Sequence, residues 1–322
     1  MRTANDDLNV KPLLSICIPT YNRVEYLKRS IESIIHQKAF IDNKVEIVIA
    51  DNASADGTDI MVNEYTKQYD NISYYRNEKN IGNDNFPFAL SKGTGVLRRL
   101  CNDTLCFKDG SLEYICGIVT EYAEKRPFIC WLESKGTEDI KECDFRTGIR
   151  DVSYWMTSIA SFSIWDTECT EIEKDTFGAE LLLWQVRKAL ELSSKKNGFL
   201  IVRKNLTYTQ PVSKKNISYG LYHVFYENYF TLLNPYFENG KLTSADKEFL
   251  EQDLLLNFFP DWCIKWKLQN TTLQYSKTED LNAMIYDRFH DKPYWMKYKM
   301  KYDRIYIKLK LKDWIKKSLG RG

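Results

Sequence analysis

Histidine is nearly missing from this chain, with three in 322 residues. The eight cysteines, Cys17, Cys101, Cys106, Cys116, Cys130, Cys143, Cys169 and Cys263, form no CxxC pair and no zinc-ligand rhythm. They are expected to be buried thiols in a reducing cytosol. No run of about 18 apolar residues occurs, so no membrane-spanning helix is expected. The opening MRTANDDLNVKPLL has no apolar core, so no signal peptide is expected either. Internal repeats and low-complexity linkers are also lacking. With 43% hydrophobic and 28% charged residues the chain is globular, not disordered. Its length suits one large domain, or one domain with a smaller helical appendage.

What the chain does have is aromatic surface and an uneven charge. It holds 21 Tyr and 8 Trp, residues that fill cores but also serve sugar clefts and membrane interfaces. The net charge of +2 hides ten Lys or Arg against two Asp from Lys297 to Gly322, a local +8. The rest of the chain is therefore acidic.

The first hundred residues alternate between two periodicities. LLSICIP and VEIVIAD are short continuous apolar runs of the kind that form strands buried on both faces. ISYYRN and VLRRLCND read as a third and a fourth strand. Between them, Tyr26, Leu27, Ser30, Ile31, Ile34 and Ile35 share one helical face, and further helices are expected at TDIMVNEYTKQY and after NIGNDN. Strand and helix in alternation predict an α/β fold with a mostly parallel sheet flanked by helices. Ligands of such sheets bind beyond the carboxyl ends of the strands. The polar exits PTYN, ADNAS and CNDT are therefore expected to converge. Farther on, FGAELLLWQVRKALELSSKK predicts a helix, and YGLYHVFYENYFTLLNPYF is aromatic at helical spacing, which suits a core.

PTYNR, DNASADGT and N-x-G, in this order and spacing, resemble the nucleotide-binding half of family 2 glycosyltransferases. The likeness extends to bacterial transferases of the abequosyltransferase type that build O-antigen or capsule. It covers roughly 13–120 and implies a GT-A fold, Rossmann-like, with a helical carboxyl-terminal region. On that basis the glycosyltransferase domain is expected over 1–215, with a nucleotide-sugar half at about 13–120 and an acceptor half at about 121–215. The helical region then spans 216–322, with a soft boundary at 212–218.

The resemblance implies that Pro19, Thr20, Tyr21, Asn22 and Arg23 line the nucleotide-sugar site. A strand-to-helix turn offers free N–H groups for such a ligand, although Asn22 reads equally well as a helix N-cap. Asp51 is implied to accept from the base edge, with Asn52 beside it; an Asx turn is the plainer role for either. Asn80 and Gly82 are implied as lining, and Asp56 and Gly57 as turn residues. After the fourth strand, relatives carry two or three acidic residues that hold Mg²⁺ or Mn²⁺ against the donor diphosphate. Here Asp103 falls on the metal position, Asn102 offers only a neutral oxygen, and Thr104 a hydroxyl. Arg98 and Arg99 point to opposite faces of their strand, which gives one of them a route to a phosphate.

Inverting transfer needs a carboxylate to take the acceptor's proton. Glu180 is the expected base at the start of a helix, with Asp175 second and Asp166 behind them. N-capping and dipole roles fit the first two as well. Trp155, Trp165 and Trp184 are candidates for a sugar ring or for the core. His223 is expected to be structural. In the basic tail, Tyr298, Tyr302, Ile305 and Leu309 share a stripe, the pattern of a helix lying on an anionic membrane; packing on its own domain is the alternative.

The chain is thus expected to use a nucleotide-diphosphate sugar and a saccharide or lipid-linked acceptor, without nucleic acid. Its expected place is the cytoplasm, or the inner face of the cytoplasmic membrane. Two other readings stand beside this one. The first is a domain that binds nucleotide sugar without transfer, motivated by Asn102. The second is a nucleotidyltransferase, whose Gly-rich basic loop PTYNR lacks.

Overall fold

The computed structural model describes residues 11–133, 139–196, 198–211, 215–216, 219–268, 273–274 and 279–318. The chain divides into two compact units, one up to Pro211 and the other from Val212. Most of the expected boundary at 212–218 lies outside the described residues.

In the first unit, β1 (Leu14–Thr20), β2 (Val45–Asp51) and β3 (Ile72–Arg76) pair in parallel, as do β1 and β4 (Leu97–Leu100). The helices α1 (Val24–Ile35), α2 (Lys38–Ile41), α3 (Thr58–Thr66) and α4 (Asn85–Lys92) make the connections. Then β5 (Leu105–Phe107) and α5 (Ser111–Tyr122) lead to β6 (Phe128–Leu132), β7 (Asp139–Cys143) and α6 (Phe145–Val152). The unit closes with β8 (Ser163–Trp165), α7 (Trp184–Lys195), β9 (Phe199–Arg203) and β10 (Thr207–Thr209). The main sheet runs β3-β2-β1-β4-β8, with β8 antiparallel. A second sheet runs β6-β9-β7, and β10 pairs with β5.

Burial on both faces explains the unbroken apolar runs. Leu14, Ile16, Ile18, Ile47 and Ile49 are fully buried, and Leu27, Ile31 and Ile34 of α1 pack into the same core. The two edges of the sheet differ in chemistry. At the amino edge, buried Glu46 accepts from Ser15 Oγ (2.5 Å) and from the Gly95 N–H (3.0 Å), which closes that end. The exits of β1, β2, β3 and β4 all lie at the opposite edge, as their parallel pairing requires. All eight cysteines are free thiols, and seven are buried.

Both arginines of β4 are engaged by the protein itself. Arg98 donates to the Leu90 carbonyl at 2.7 Å and so caps the last turn of α4. Arg99 is 2% exposed. Its guanidinium lies 4.8 Å from the Trp131 ring and donates to the Ala160 carbonyl through Nε and Nη2 (3.2 and 3.1 Å). Burial holds its pKa below the usual range. It braces the segment entering β8, a role that a strand-alternation argument cannot distinguish from ligand contact.

The long helix expected over 177–196 is shorter. Gly178 and Leu182 have φ of +84° and +60°, so Ala179–Leu181 form a single 3-10 turn and α7 starts only at Trp184. Two left-handed residues end any continuous helix there.

The second unit holds β11 (Lys215–Asn216), α8 (Tyr229–Glu238), α9 (Ser244–Asp253) and α10 (Phe259–Leu268). After these come β12 (Leu273–Gln274), α11 (Leu281–Phe289) and α12 (Trp295–Ser318). A π-helical turn, His223–Asn228, precedes α8. Tyr222, Tyr226, Tyr229 and Phe230 are buried, as their spacing suggests. Within this core, Glu251 accepts from Tyr226 Oη at 2.8 Å and from Arg288 Nη2 at 2.6 Å. His223 is exposed and pairs with Glu227 at 2.7 Å. Most of the stripe expected to face a membrane turns inward: Tyr298 is buried and donates to Cys263 Sγ at 3.7 Å, Tyr302 and Ile305 are half-buried, and Leu309 is exposed. Among the described residues no helix is long and apolar enough to cross a membrane.

Candidate nucleotide-sugar site

Four loops, the exits of β1, β2, β3 and β4, meet at the carboxyl edge of the main sheet, and specific side chains tie them together. From the exit of β1, the buried Thr20 hydroxyl donates to Asp103 Oδ2 at 3.0 Å, and Arg23 Nη1 donates to Oδ1 at 2.8 Å. Asp103 belongs to the exit of β4 and is itself buried. Asn22 adopts φ +51° and is not a helix cap. Its N–H donates to Ser54 Oγ and its Oδ1 accepts from the Ala55 N–H, both at 2.8 Å. The free N–H of Val24, in the first turn of α1, donates to Asp56 Oδ2 at 2.9 Å. The cap of α1 thus comes from the β2 loop, and the turn role of Asp56 follows from it. Tyr21 is exposed at the rim.

At the exit of β2, Asp51 is fully buried and its oxygens are shared among protein donors. Oδ1 accepts from the Ser54 N–H (2.9 Å) and Oγ (2.5 Å), and Oδ2 from Tyr74 Oη (2.7 Å) and Arg76 Nη1 (3.1 Å). Burial, then the bond to Asp51, pushes the Tyr74 hydroxyl well above its usual pKa. The Asx turn is therefore present, and Arg76 carries the positive charge to the surface of this pocket.

Asn52 holds the loop after β3. Its Nδ2 donates to Asn80 Oδ1 (2.7 Å) and to the Gly82 carbonyl (3.2 Å), while its Oδ1 accepts from the Ile81 N–H (2.9 Å). Asn77 bridges Asn52 to Asn85, and Asn85 donates to the Ala50 carbonyl at 2.8 Å. Gly82 sits at φ +62°, and a Cβ there would meet nothing within 4 Å. That left-handed backbone favours glycine, and no protein atom competes for the space beside it. Tyr74, Arg76, Asn77 and Asn85 complete the site's frame and were not singled out from sequence. The density of Asn in RNEKNIGNDN was the available signal.

Beside the Arg23 guanidinium, the metal-ligating atoms on offer at Asp103 are oxygens: its own carboxylate and the Thr20 hydroxyl, with Asn102 and Thr104 alongside in sequence. Among the described residues no group of three or more His, Cys, Asp or Glu is placed to hold a metal. One carboxylate suits a hard cation that keeps waters and binds substrate phosphates. A guanidinium already occupies the cation position on Asp103, which marks it as a place for positive charge.

The expected base residues differ in how committed they are. Asp175 is half-buried and ion-paired with Arg187 and, at 2.9 Å, with Lys188. Burial pulls its pKa up, but the bonds from those two cations win and hold it below the usual carboxylate range. Asp166 pairs with Lys11 (2.9 Å) and Arg126 (2.7 Å). It follows β8, whose Trp165 pairs with Leu97, so it lies at the amino edge, away from those loops. Glu180 is exposed, on the 3-10 turn between two left-handed residues, and has no ion-pair partner among the described residues. Trp165 and Trp184 are core residues, and Trp155 is exposed. The residues before β8 lie at the carboxyl edge, because the Leu100 N–H donates to the Phe162 carbonyl.

Residues 15–123 match the family described as Glycosyl transferase family 2. Abequosyltransferase RfbV of Salmonella typhimurium is 46% identical over 85 residues, 26% of this chain and 25% of that protein. The GalNAc(5)-diNAcBac-PP-undecaprenol beta-1,3-glucosyltransferase of Campylobacter jejuni is 31% identical over 116 residues, 35% of this chain and 34% of that one. The matches thus span only a quarter to a third of these relatives' lengths. S. aureus TarS in complex with UDP superposes with a TM-score of 0.54 at 18% identity, covering 80% of this chain and 76% of that chain. At that identity the likeness concerns the fold alone.

Proposed function

We propose that this chain, whose residues 15–123 match glycosyl transferase family 2 and whose fold is similar to that of a solved glycosyltransferase, is an inverting glycosyltransferase. Its donor is a nucleotide-diphosphate sugar, and its acceptor a saccharide of a bacterial surface glycan such as O-antigen or capsule, carried on a lipid. The carrying observation is the junction at Asp103, where Thr20 and Arg23 of one strand exit meet the carboxylate of another. The names of two relatives support the acceptor class, one an abequosyltransferase and the other acting on an undecaprenol-linked saccharide.

In this reading the nucleotide lies over Pro19, Thr20, Tyr21 and Asn22, with Asp51, Asn52, Asn80 and Gly82 shaping the base and ribose side. Arg23 places positive charge where the diphosphate arrives. A bound Mg²⁺ or Mn²⁺, held by Asp103 with Asn102 and Thr104 as neutral oxygens, would neutralise charge on the departing diphosphate. Glu180 takes the proton from the acceptor hydroxyl, which attacks the anomeric carbon opposite the leaving group and inverts it. Asp175, bound by two cations, holds the turn that presents Glu180. The protein works at the cytoplasmic side of a membrane, as a peripheral enzyme.

A panel of nucleotide sugars, read by thermal stabilisation and donor hydrolysis, tests this. One donor at saturation is expected to raise the melting temperature by about 4 °C or more. Asp103→Ala should lower its turnover at least about a hundredfold. If no nucleotide sugar binds, or if that variant turns over its donor at the normal rate, the reading fails.

A further inference from the structure

The helix α12 carries apolar side chains on two opposite sides. Its inner side packs on α10 through Tyr298. Its outer side presents Met296, Met300, Ile307, Leu311, Trp314 and Ile315, each between 48% and 69% exposed. At about 100° per residue these six fall on one continuous stripe along the helix. Four of them, Met300, Ile307, Leu311 and Ile315, line a single shallow concave strip with Arg304, Lys308 and Lys312. An exposed apolar stripe of this length on an otherwise solvated helix marks a surface that meets a partner.

The flanks identify that partner. Lys308 and Lys312 border one side of the stripe and Lys299 and Lys310 the other, all exposed, while Asp303 is the one acid that lines the strip. A second copy docking stripe to stripe would bring lysines against lysines, which opposes that pairing. An anionic lipid surface satisfies both features, since the apolar stripe enters the acyl boundary and the lysines reach the headgroups. Trp314 suits the same depth.

We propose that the outer face of α12 is a membrane-docking surface for anionic lipid, with its centre at Ile307 and Leu311. The face that meets lipid lies opposite the Tyr298 stripe, which belongs to the protein core. The proposal stands on this unit alone and does not depend on the glycosyltransfer reading, because vesicle binding is measured without any donor.

The test is flotation of the full chain with vesicles of phosphatidylcholine alone and of phosphatidylcholine with about a third phosphatidylglycerol. The expected result is binding to the anionic vesicles that falls steeply with salt. Ile307→Glu with Leu311→Glu should lower that binding at least about tenfold, and so should Lys308→Glu with Lys312→Glu. Both pairs are exposed, so circular dichroism and the melting temperature are expected to stay unchanged. Tyr302→Phe, on the inner side, should float like the unaltered chain. Equal flotation of all these variants, or no flotation of the parent, overturns the proposal. So does a parent that binds no vesicles but forms a dimer that the Ile307→Glu and Leu311→Glu pair dissolves; that outcome assigns the face to a second copy.

Discussion

Arg23 Nη1 lies 2.8 Å from Asp103 Oδ1, joining the exits of two adjacent strands across 80 residues of sequence. The Thr20 hydroxyl takes the other oxygen at 3.0 Å. The carboxylate expected to meet a metal is therefore already neutralised by the chain itself. On the proposed reading, a divalent ion would compete with Arg23 for it, and a donor diphosphate would draw the guanidinium away.

Arg23→Gln should therefore raise Mn²⁺ affinity in the absence of donor by about three- to tenfold, the equivalent of ~1 kcal/mol for a partly buried pair. Titration followed by Mn²⁺ paramagnetic resonance reads this directly. The same variant should weaken nucleotide-sugar binding, because it removes charge from the diphosphate position. Unchanged Mn²⁺ affinity would show that the pair does not guard the carboxylate.

Glu180→Gln and Asp175→Asn should separate chemistry from scaffolding. The first is expected to lower kcat about 10²- to 10⁴-fold with no change in melting temperature, since Glu180 is exposed. The second takes one of two carboxylates from Arg187 and Lys188, which keep Glu191, and should cost on the order of 1 kcal/mol after solvent screening. Asp175 also predicts a pH effect. Its folded pKa is lowered, so its contribution is present above the unfolded carboxyl value of about 4 and is lost on acidifying through the folded value. Acid unfolding of Asp175→Asn should be correspondingly flatter in that range. A Glu180→Gln enzyme with full kcat would remove it as the base.

Gly82→Ala tests whether the loop needs conformation or space. With φ at +62° and open space where a Cβ would go, the cost should be about 1 kcal/mol of backbone strain and no clash. The melting temperature should fall by about 2–4 °C, and donor affinity with it, as the Asn52–Asn80 contacts loosen. A neutral effect on both measurements would mean the loop is not held in this conformation.

In the second unit, Glu251→Ala should cost about 2–3 kcal/mol. It strips a buried carboxylate from Tyr226 and Arg288, although water reaches part of Arg288 and limits the loss. Glu251→Gln keeps the hydrogen-bonding shape and should cost less. Hydrogen exchange across 222–289 resolves the two variants, and equal protection in both would place the unit's stability elsewhere.

The sheet was legible in advance because Leu14–Ile18 and Val45–Ala50 are buried on both faces, and such unbroken runs alternating with amphipathic helices are the pattern of parallel central strands. The convergence of PTYN, ADNAS and CNDT followed from that parallelism alone. Partnerships were not legible. The alternation of a strand places Arg98 and Arg99 on opposite faces, but it does not reveal that one caps α4 and the other lies against Trp131. The 3.6-residue period drew a helix through Gly178 and Leu182, whose left-handed backbone only the packed chain imposes. In α12 the period found an apolar stripe, yet two such stripes lie on opposite sides, and packing on α10 decided which turned inward.

The sequence by itself determined the elements and their order, because burial periodicity is a local property of the chain. It also determined which three loops share an edge, because parallel strands put their exits on one side. Tertiary structure alone decided the charge state of the site's surroundings: that Asp103 meets Arg23, that Asp175 is bound by one arginine and one lysine, and that Glu180 has no such pair among the described residues. Such pairings join residues far apart in sequence, and no period or motif records which of several cations will arrive.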